Sequence, residues 1–195
     1  MVAFCRIECG LFLHYMEQKY KEMDDFMRSK APVLAGNIAK RHIQDDFRKG
    51  GFTCNGFRKW KETGRQKTGG SSASSSYGPL LSGRRYLMDS IEYVPADYQV
   101  TVYARAPYAP IHNWGGTTHP TVTPKMRKYA WAMHYKEAGE DKDKDTMWKR
   151  LALTKKQKLD VTIPQRQFVS PKPGPELEKK VWTKIDNELE TIILK

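Results

Sequence analysis

Tyr-Ala-Arg-Ala-Pro-Tyr-Ala-Pro-Ile-His-Asn-Trp-Gly-Gly, residues Tyr103–Gly116, is the stretch around which the chain is organised. It begins at the end of a predicted strand. Pro107 and Pro110 end that strand, because proline has no N–H to donate to a neighbouring strand. Gly115 and Gly116 allow the backbone to turn away at the other end. We interpret the stretch as a structural corner.

Three large apolar side chains of the corner, Tyr108, Ile111 and Trp114, are spaced by three residues. This spacing predicts one short helical turn whose apolar side packs onto the preceding hairpin. His112 lies in the same turn. We interpret it as a hydrogen-bonding residue of the corner and not as a catalytic group.

The segment before the corner predicts an antiparallel hairpin at about residues 90–105. The side chains of its second strand alternate between two faces of different character, as those of a half-buried strand do. Pro95–Asp97 separates this strand from Ser90–Val94, which supplies the partner strand. One face of the second strand carries Tyr98, Val100, Val102 and Ala104.

Helices are predicted at both ends of the chain and in one insertion. Residues 1–49 hold two helices that meet near Pro32, since their apolar residues recur every three or four positions. Thr123 and Pro124 begin a third helix, within a helical insertion at about 123–153. A final helix spans 175–194. Its apolar stripe drifts around the helix and therefore contacts more than one neighbour: Leu177, Val181, Ile185, Leu189 and Ile193.

Residues 50–79 predict a flexible loop rich in basic residues and serine. Phe57 and Trp60 lie among basic residues, and such a pattern is found both in stacking platforms for single-stranded nucleic acid and in loops anchored to a core. The anchoring interpretation is favoured. Gly69–Ser76 consists of glycine, serine and alanine, which bury little area, and predicts a mobile segment.

These elements predict an α+β fold in a single domain, residues 1–195. The predicted sheet is small and antiparallel, and consists of the hairpin at about 90–105 with a strand at about 158–163. It lies in a core of residues 80–168, packed with the long N-terminal and C-terminal helices.

The composition gives 34 Lys and Arg against 22 Asp and Glu, a net charge of +12. Such a surplus steers a protein towards nucleic acid, an acidic membrane surface or an acidic protein. No stretch has the length and apolarity of a membrane span, and no signal peptide is expected. The three cysteines predict reduced thiols.

The sequence carries no recognisable catalytic or cofactor motif. It has no Gly-x-Ser-x-Gly elbow, no phosphate-binding glycine loop and no His-Glu-x-x-His. His112 and His119 lack neighbouring carboxylates or thiols that would complete a metal site. We therefore expect no enzyme activity, no cofactor and no metal.

Three ordered motifs resemble the phage virion morphogenesis, or tail-completion, proteins of tailed phages and Mu-like prophages. The first motif runs from Leu80-Leu81 through Gly83 to Ser90-Ile91. The third motif departs from the family at Gln167, where the family commonly has proline. The second motif comprises Tyr108, Ala109, Ile111, His112, Gly115 and Gly116; the third comprises Ile163, Pro164, Arg166 and Phe168.

The resemblance implies a non-enzymatic virion protein that acts in tail completion or head–tail joining at the neck, after assembly in the bacterial host cytoplasm. It further implies a homomeric ring, expected to be hexameric, with neighbouring neck and tail proteins as partners and transient contact with passing DNA. The motif residues would then serve structure and assembly, together with Trp114. The alternative hypothesis is a basic nucleic-acid-binding protein that uses Phe57–Trp60.

Overall fold

The computed structural model describes residues 7–67, 77–141 and 143–194. The start of the predicted first helix and the serine-rich part of the predicted loop lie outside these residues. The fold is α+β, as predicted, with long helices at both ends and small antiparallel sheets. The chain forms two compact units: Met1–Trp114 with Arg166–Lys195, called the first unit, and Gly115–Gln165, called the second unit.

The N-terminal part of the first unit is helical throughout its described length. Helix α1, Ile7–Asp25, continues through a π-helical turn, Phe26–Lys30, into helix α2, Ala31–Lys49. In the π-helical turn the Ala31 N–H donates to the Phe26 carbonyl. The widened turn brings Pro32, which has no N–H, into the first turn of α2, where proline is tolerated.

A short hairpin follows α2. It consists of β1, Gly51–Thr53, and β2, Phe57–Lys59. A helical turn, α3, follows at Gly64–Lys67. The prediction of a flexible loop over 50–79 is therefore wrong for this part of the segment. The backbone N–H of Gly56 donates to Glu176 Oε1 at 2.6 Å, and this bond holds the pKa of Glu176 below its usual value.

The predicted central hairpin is confirmed. Helical turn α4, Tyr86–Asp89, leads into β3, Ile91–Ala96, which pairs with β4, Gln99–Ala104. Val100, Val102 and Ala104 point to the half-buried face, as expected. Tyr98 does not: it lies in the turn with φ of 58°, and its N–H donates to the Arg28 carbonyl.

Helix α2 packs closely against this hairpin. A Cβ at Gly36 would lie 2.3 Å from the ring of Tyr93, so only glycine permits this approach. The corner helix α5, Ala109–Trp114, follows the hairpin. Helix α8, Pro175–Leu194, closes the first unit and contacts both α1 and α2, as its drifting stripe predicts.

Two groups of buried side chains hold the first unit together. The larger lies between α2, the two hairpins and the corner, and the smaller joins α2 to α8. The larger group contains Ile43, Phe47, Phe52, Trp60, Leu87, Met88, Ile91, Ala106, Ala109 and Phe168, and the smaller contains Phe26, Ala31 and Ile185.

The second unit is a helical hairpin on a short sheet. Its elements are β5, Gly116–Thr118, α6, Pro124–Ala138, α7, Met147–Leu153, and β6, Val161–Ile163. The Thr123 hydroxyl accepts from Met126 N at 3.2 Å and caps α6, as predicted. Buried His134 hydrogen-bonds to Thr146, whose hydroxyl also caps α7.

The predicted strand at about 158–163 forms, but it is not a third strand of the 90–105 hairpin. It pairs with β5, so the described sheets are three separate two-stranded pairs. β5 precedes the inserted helical hairpin and β6 follows it, so the two strands meet where the hairpin closes. No helix in the described ranges has the length and apolarity to cross a membrane.

Candidate assembly site

The corner helix α5 has an inner side of small residues. Ala109 and Asn113, four residues apart on one face of the helix, are buried, and so is Ala106 in the turn before it, whose carbonyl accepts from Ala109 N at 2.9 Å. The prediction that Tyr108, Ile111 and Trp114 press the turn onto the core is therefore wrong for Tyr108 and Trp114, which are exposed, whereas Ile111 is half-buried. Small side chains let the helix backbone approach the hairpin, and this turns the larger side chains outward.

Asn113 fastens the corner to the chain that returns after the second unit. Its Oδ1 accepts from the backbone N–H groups of Phe168 and Val169, both at 2.9 Å, and its Nδ2 donates to the Val169 carbonyl at 3.0 Å. The side chain is 5 % exposed. These bonds satisfy three backbone groups, which would be costly to leave unpaired in a buried position.

Asn113 was missed by the sequence interpretation, which placed the hydrogen bonding on its neighbour His112. The backbone carbonyl of His112 does accept from Arg166 N at 2.8 Å. Its imidazole instead packs edge-on against Tyr108, with 5.8 Å between ring centroids. Its Nδ1 is buried with no hydrogen-bond partner among the described residues. Burial, and to a lesser degree the charge of Arg166, lowers the pKa of His112.

The motif residues Arg166 and Phe168 are both buried in the first unit. Arg166 Nε donates to the Lys61 carbonyl at 2.9 Å. Phe168 is 1 % exposed and packs on Phe47, with ring centroids 5.2 Å apart. These contacts hold the returning chain against the segment that follows β2.

Trp60 completes this cluster. Its ring lies 5.4 Å from that of Phe47, and its Nε1 donates to the Gln167 carbonyl at 2.7 Å. Trp60 is buried and is therefore not available to stack on a nucleic-acid base. Phe57 remains exposed. The anchoring interpretation thus holds for Trp60 and not for Phe57.

The first motif supports the start of the hairpin. Ile91 is fully buried in the larger group of core residues. Ser90 Oγ donates to the Leu87 carbonyl at 2.7 Å, and the Ser90 carbonyl accepts from Arg105 N at 2.9 Å. Gly83 faces the Tyr77 hydroxyl. These residues connect α4 to the hairpin and thereby position the corner.

Four motif residues, Gly115, Gly116, Ile163 and Pro164, fall in the second unit. Gly116 pairs with Ile163 where β5 and β6 meet. Gly115 has φ of 74°, and a Cβ there would lie 2.9 Å from Gln165 N, so both the conformation and the close approach require glycine. Pro164 is exposed directly after β6.

The outer side of the corner helix borders an apolar groove. Trp114 is 55 % exposed, and across the groove Trp182 is 53 % exposed. The groove has a volume of about 730 Å³. It runs between α2, β4, the extended segment 168–174 and the first two turns of α8. Its apolar lining is Ala35, Ala39, Ile43, Phe52, Val100, Val102, Trp114, Phe168, Val169, Pro171, Pro173, Leu177, Val181 and Trp182.

The polar residues of the groove lining are His42, Thr53, Thr101, Ser170, Lys172 and Glu178, and two of them, His42 and Thr53, are engaged in hydrogen bonds. His42 Nδ1 lies 3.2 Å from Lys180 Nζ, which can only donate, so Nε2 carries the hydrogen that bonds the Thr53 carbonyl at 3.3 Å. Thr53 N and Oγ1 both donate to buried Asp46, each at 2.7 Å. The arrangement suits an apolar partner more than a polar ligand.

A second exposed apolar surface lies on α1. Phe12, Leu13, Met16 and Tyr20 are all exposed, and their spacing of three and four places them on one side of the helix. We call this surface the α1 stripe. Directly beside this stripe, α1 contacts the end of α8, where Lys19 Nζ donates to the Ile192 carbonyl at 2.8 Å.

Comparisons of the chain with protein-family models, with curated proteins and with solved structures give no match. Within the described ranges no three His, Cys, Asp or Glu side chains are grouped as metal ligands. The candidate site is an open apolar groove beside a corner that Asn113 fastens through three hydrogen bonds.

Proposed function

We propose that this chain is a structural protein of a tailed-phage virion, which acts in tail completion or head–tail joining at the neck. In this role it assembles into a closed homomeric ring of six copies and contacts neighbouring neck and tail proteins. Its task is to present surfaces that join other components, without catalysis. The ordered motifs of the sequence support the family, and the groove supports the assembly.

The observation that carries the proposal is the open apolar groove with a half-exposed tryptophan on each side. Contiguous apolar surface of this kind marks interaction sites in proteins that are otherwise charged. Tryptophan is also the residue most often found where interfaces concentrate their binding energy. Trp114 and Trp182 fit such a role because neither is needed to fill the core.

A closed ring needs two different surfaces on each subunit, since its interfaces are head-to-tail. The groove is one such surface and the α1 stripe is the other. A helix whose apolar residues are spaced by three and four fits a groove of this kind. The α1 stripe of one copy is therefore expected to lie in the groove of the next.

Helix α1 does not fill the groove of its own subunit. It contacts α8 near Ile192, whereas the groove lies beside Leu177–Trp182. At 1.5 Å per helical residue these positions are about 15 Å apart or more along α8. Occupancy by a second copy thus requires no rearrangement of the first unit.

Oligomeric mass and electron microscopy test the proposal. The purified protein is examined alone and with the tail-tube and neck proteins of the same phage. The expected result is a ring that caps or extends a tail. A protein that stays monomeric and never joins a tail tube or neck would overturn the assignment.

A photo-crosslinking amino acid at Tyr20 tests the interface itself. The expected product joins two copies, with the crosslinked peptide drawn from the groove, above all from Leu177–Trp182. The same probe at Lys184, on the exposed side of α8, is the matched control. Equal yields from both positions would contradict the assignment of the α1 stripe to the groove.

A further inference from the structure

The second unit separates its charges along its length. Between Gly115 and Gln165 the sequence has eleven Lys and Arg and six Asp and Glu. Five of the six carboxylates lie in residues 137–145, where the two helices of the hairpin connect. Residues 113–136 and 146–159 contain no carboxylate at all. One end of the helical hairpin is therefore acidic, and the other carries unbalanced positive charge.

Backbone bonds hold the two carboxylate-free segments together at that other end. Val122 N donates to the Gln157 carbonyl at 2.8 Å, and Leu159 N donates to the Pro120 carbonyl at 3.0 Å. The guanidinium of Arg127 donates to the carbonyl of Ala152 at 2.9 Å. These bonds place the start of α6 beside the chain that leaves α7.

The two segments that these bonds join carry five exposed lysines: Lys125, Lys128, Lys155, Lys156 and Lys158. We call them the lysine surface. The N-terminus of α6, a helix of 15 residues, adds the positive end of its dipole at the same place. The nearest carboxylate in the sequence, Asp160, lies 2.7 Å from His119 Nδ1. Arg127, and not one of the five lysines, makes the described side-chain bond to the α7 carbonyl of Ala152.

We propose that the lysine surface binds the phosphate backbone of duplex DNA without reading its sequence. Closely spaced cations neutralise phosphates and release their counterions, which supplies most of the free energy of non-specific DNA binding. Lysine is suited to this because it contacts phosphate as a flexible point charge. It is depleted in protein–protein interfaces, which favours DNA over an acidic protein as the partner.

The lysine surface belongs to the second unit alone, and its binding to DNA does not require that the protein form a ring. It also differs from the Phe57–Trp60 segment considered for nucleic-acid binding, in which Trp60 is buried. The interaction is expected to be electrostatic and rapidly reversible, because the proposed contacts join lysines to phosphates and include no stacking of aromatic side chains on bases.

Fluorescence anisotropy with a short mixed-sequence duplex, over a salt series, tests the proposal in the full chain. The triple variant Lys155→Gln/Lys156→Gln/Lys158→Gln removes three phosphate contacts. Each contact contributes about 0.9 to the slope of log affinity against log salt, so the slope is expected to fall in magnitude by about 2 to 3. The matched control, Lys21→Gln/Lys30→Gln/Lys179→Gln, removes the same charge from exposed lysines of the first unit and should keep the slope.

Two results would overturn the proposal. Equal loss of slope in both triple variants would mean that only the overall charge attracts DNA. Binding of poly-glutamate as tight as that of DNA, with the same sensitivity to the lysine substitutions, would assign the surface to acidic proteins instead. Thermal unfolding of both variants shows that they are folded, as expected for exposed lysines.

Discussion

The two sides of the corner helix reverse the usual distribution of residue types. On the inner side, a small polar residue, Asn113, is buried and fully used in hydrogen bonds. On the outer side the next residue, Trp114, is large, apolar and half exposed. The fold thus uses the amide of Asn113 in three hydrogen bonds, whereas it leaves the ring of Trp114 half exposed.

The reason lies in the chain that each side meets. The inner side faces a returning backbone whose N–H and carbonyl groups need partners, and an amide supplies both a donor and an acceptor. The outer side faces a groove that the described chain leaves open. A residue that the fold does not need, but that a partner can bury, is the feature expected of an assembly protein.

Phe168→Ala should have the largest effect on the inner side. Removing a fully buried ring leaves a cavity beside Phe47 and Trp60, and the expected loss is about 3–5 kcal/mol in the free energy of unfolding. Urea denaturation monitored by tryptophan fluorescence measures it. Phe57→Ala, at an exposed phenylalanine, is the control and should cost far less. Similar losses in the two variants would contradict the packing described.

Asn113→Ala should come next. It leaves buried backbone groups of Phe168 and Val169 without partners, at about 1–3 kcal/mol for each group that water does not reach. The same denaturation experiment measures the loss, with Asn187→Ala on the exposed face of α8 for comparison. If Asn113→Ala were as stable as the wild type, the amide would not fasten the corner.

The pH dependence of stability should show a smaller effect, through His112. Its folded pKa lies below the ordinary value of 6.5, so the unfolded chain binds a proton more readily. The contribution of neutral His112 to the free energy of unfolding is therefore fully present above pH 6.5, and it is lost as the pH drops from 6.5 towards the folded pKa. His112→Gln should flatten the curve in the window that begins near the ordinary pKa of 6.5 and extends towards lower pH. A wild-type curve that is level in this window would be the opposite outcome.

Trp114→Ser should change monomer stability least of all. Half-exposed side chains outside a core usually cost less than about 1 kcal/mol when replaced. Equal unfolding midpoints, measured at protein concentrations where only monomer is present, would confirm the contrast with its neighbour Asn113. A loss as large as that of Asn113→Ala would mean that the outer side also serves folding.

Much of the first unit follows from local sequence patterns. The hairpin 91–104 was predictable because its alternation and bounding turn lie within one short segment, and α8 because its apolar spacing continues from Leu177 to Ile193. The hairpin β1–β2 was missed because its strands have three residues each, too few to show alternation. Trp60 was recognised as an anchor because a loop of this length needs one.

The contacts that the sequence did not predict are those between distant residues. Asn113 bonds to a backbone 55 residues later, and β5 pairs with β6 across the whole helical hairpin. Large aromatics suggested a packed corner, but the small residues Ala106 and Ala109 decide which side faces inward. Their spacing with Asn113 was visible in the sequence and is the signal that identifies the inner side.

The central claim is that the groove side of the corner serves assembly while the inner side serves folding. The most direct test is the oligomeric mass of the wild type and of Trp114→Ser/Trp182→Ser, each measured with the partner neck and tail proteins present. The account predicts a ring for the wild type and a folded monomer for the double variant, with unchanged cooperativity of unfolding. A double variant that still forms the ring, or a wild type that remains a monomer beside those partners, would contradict it.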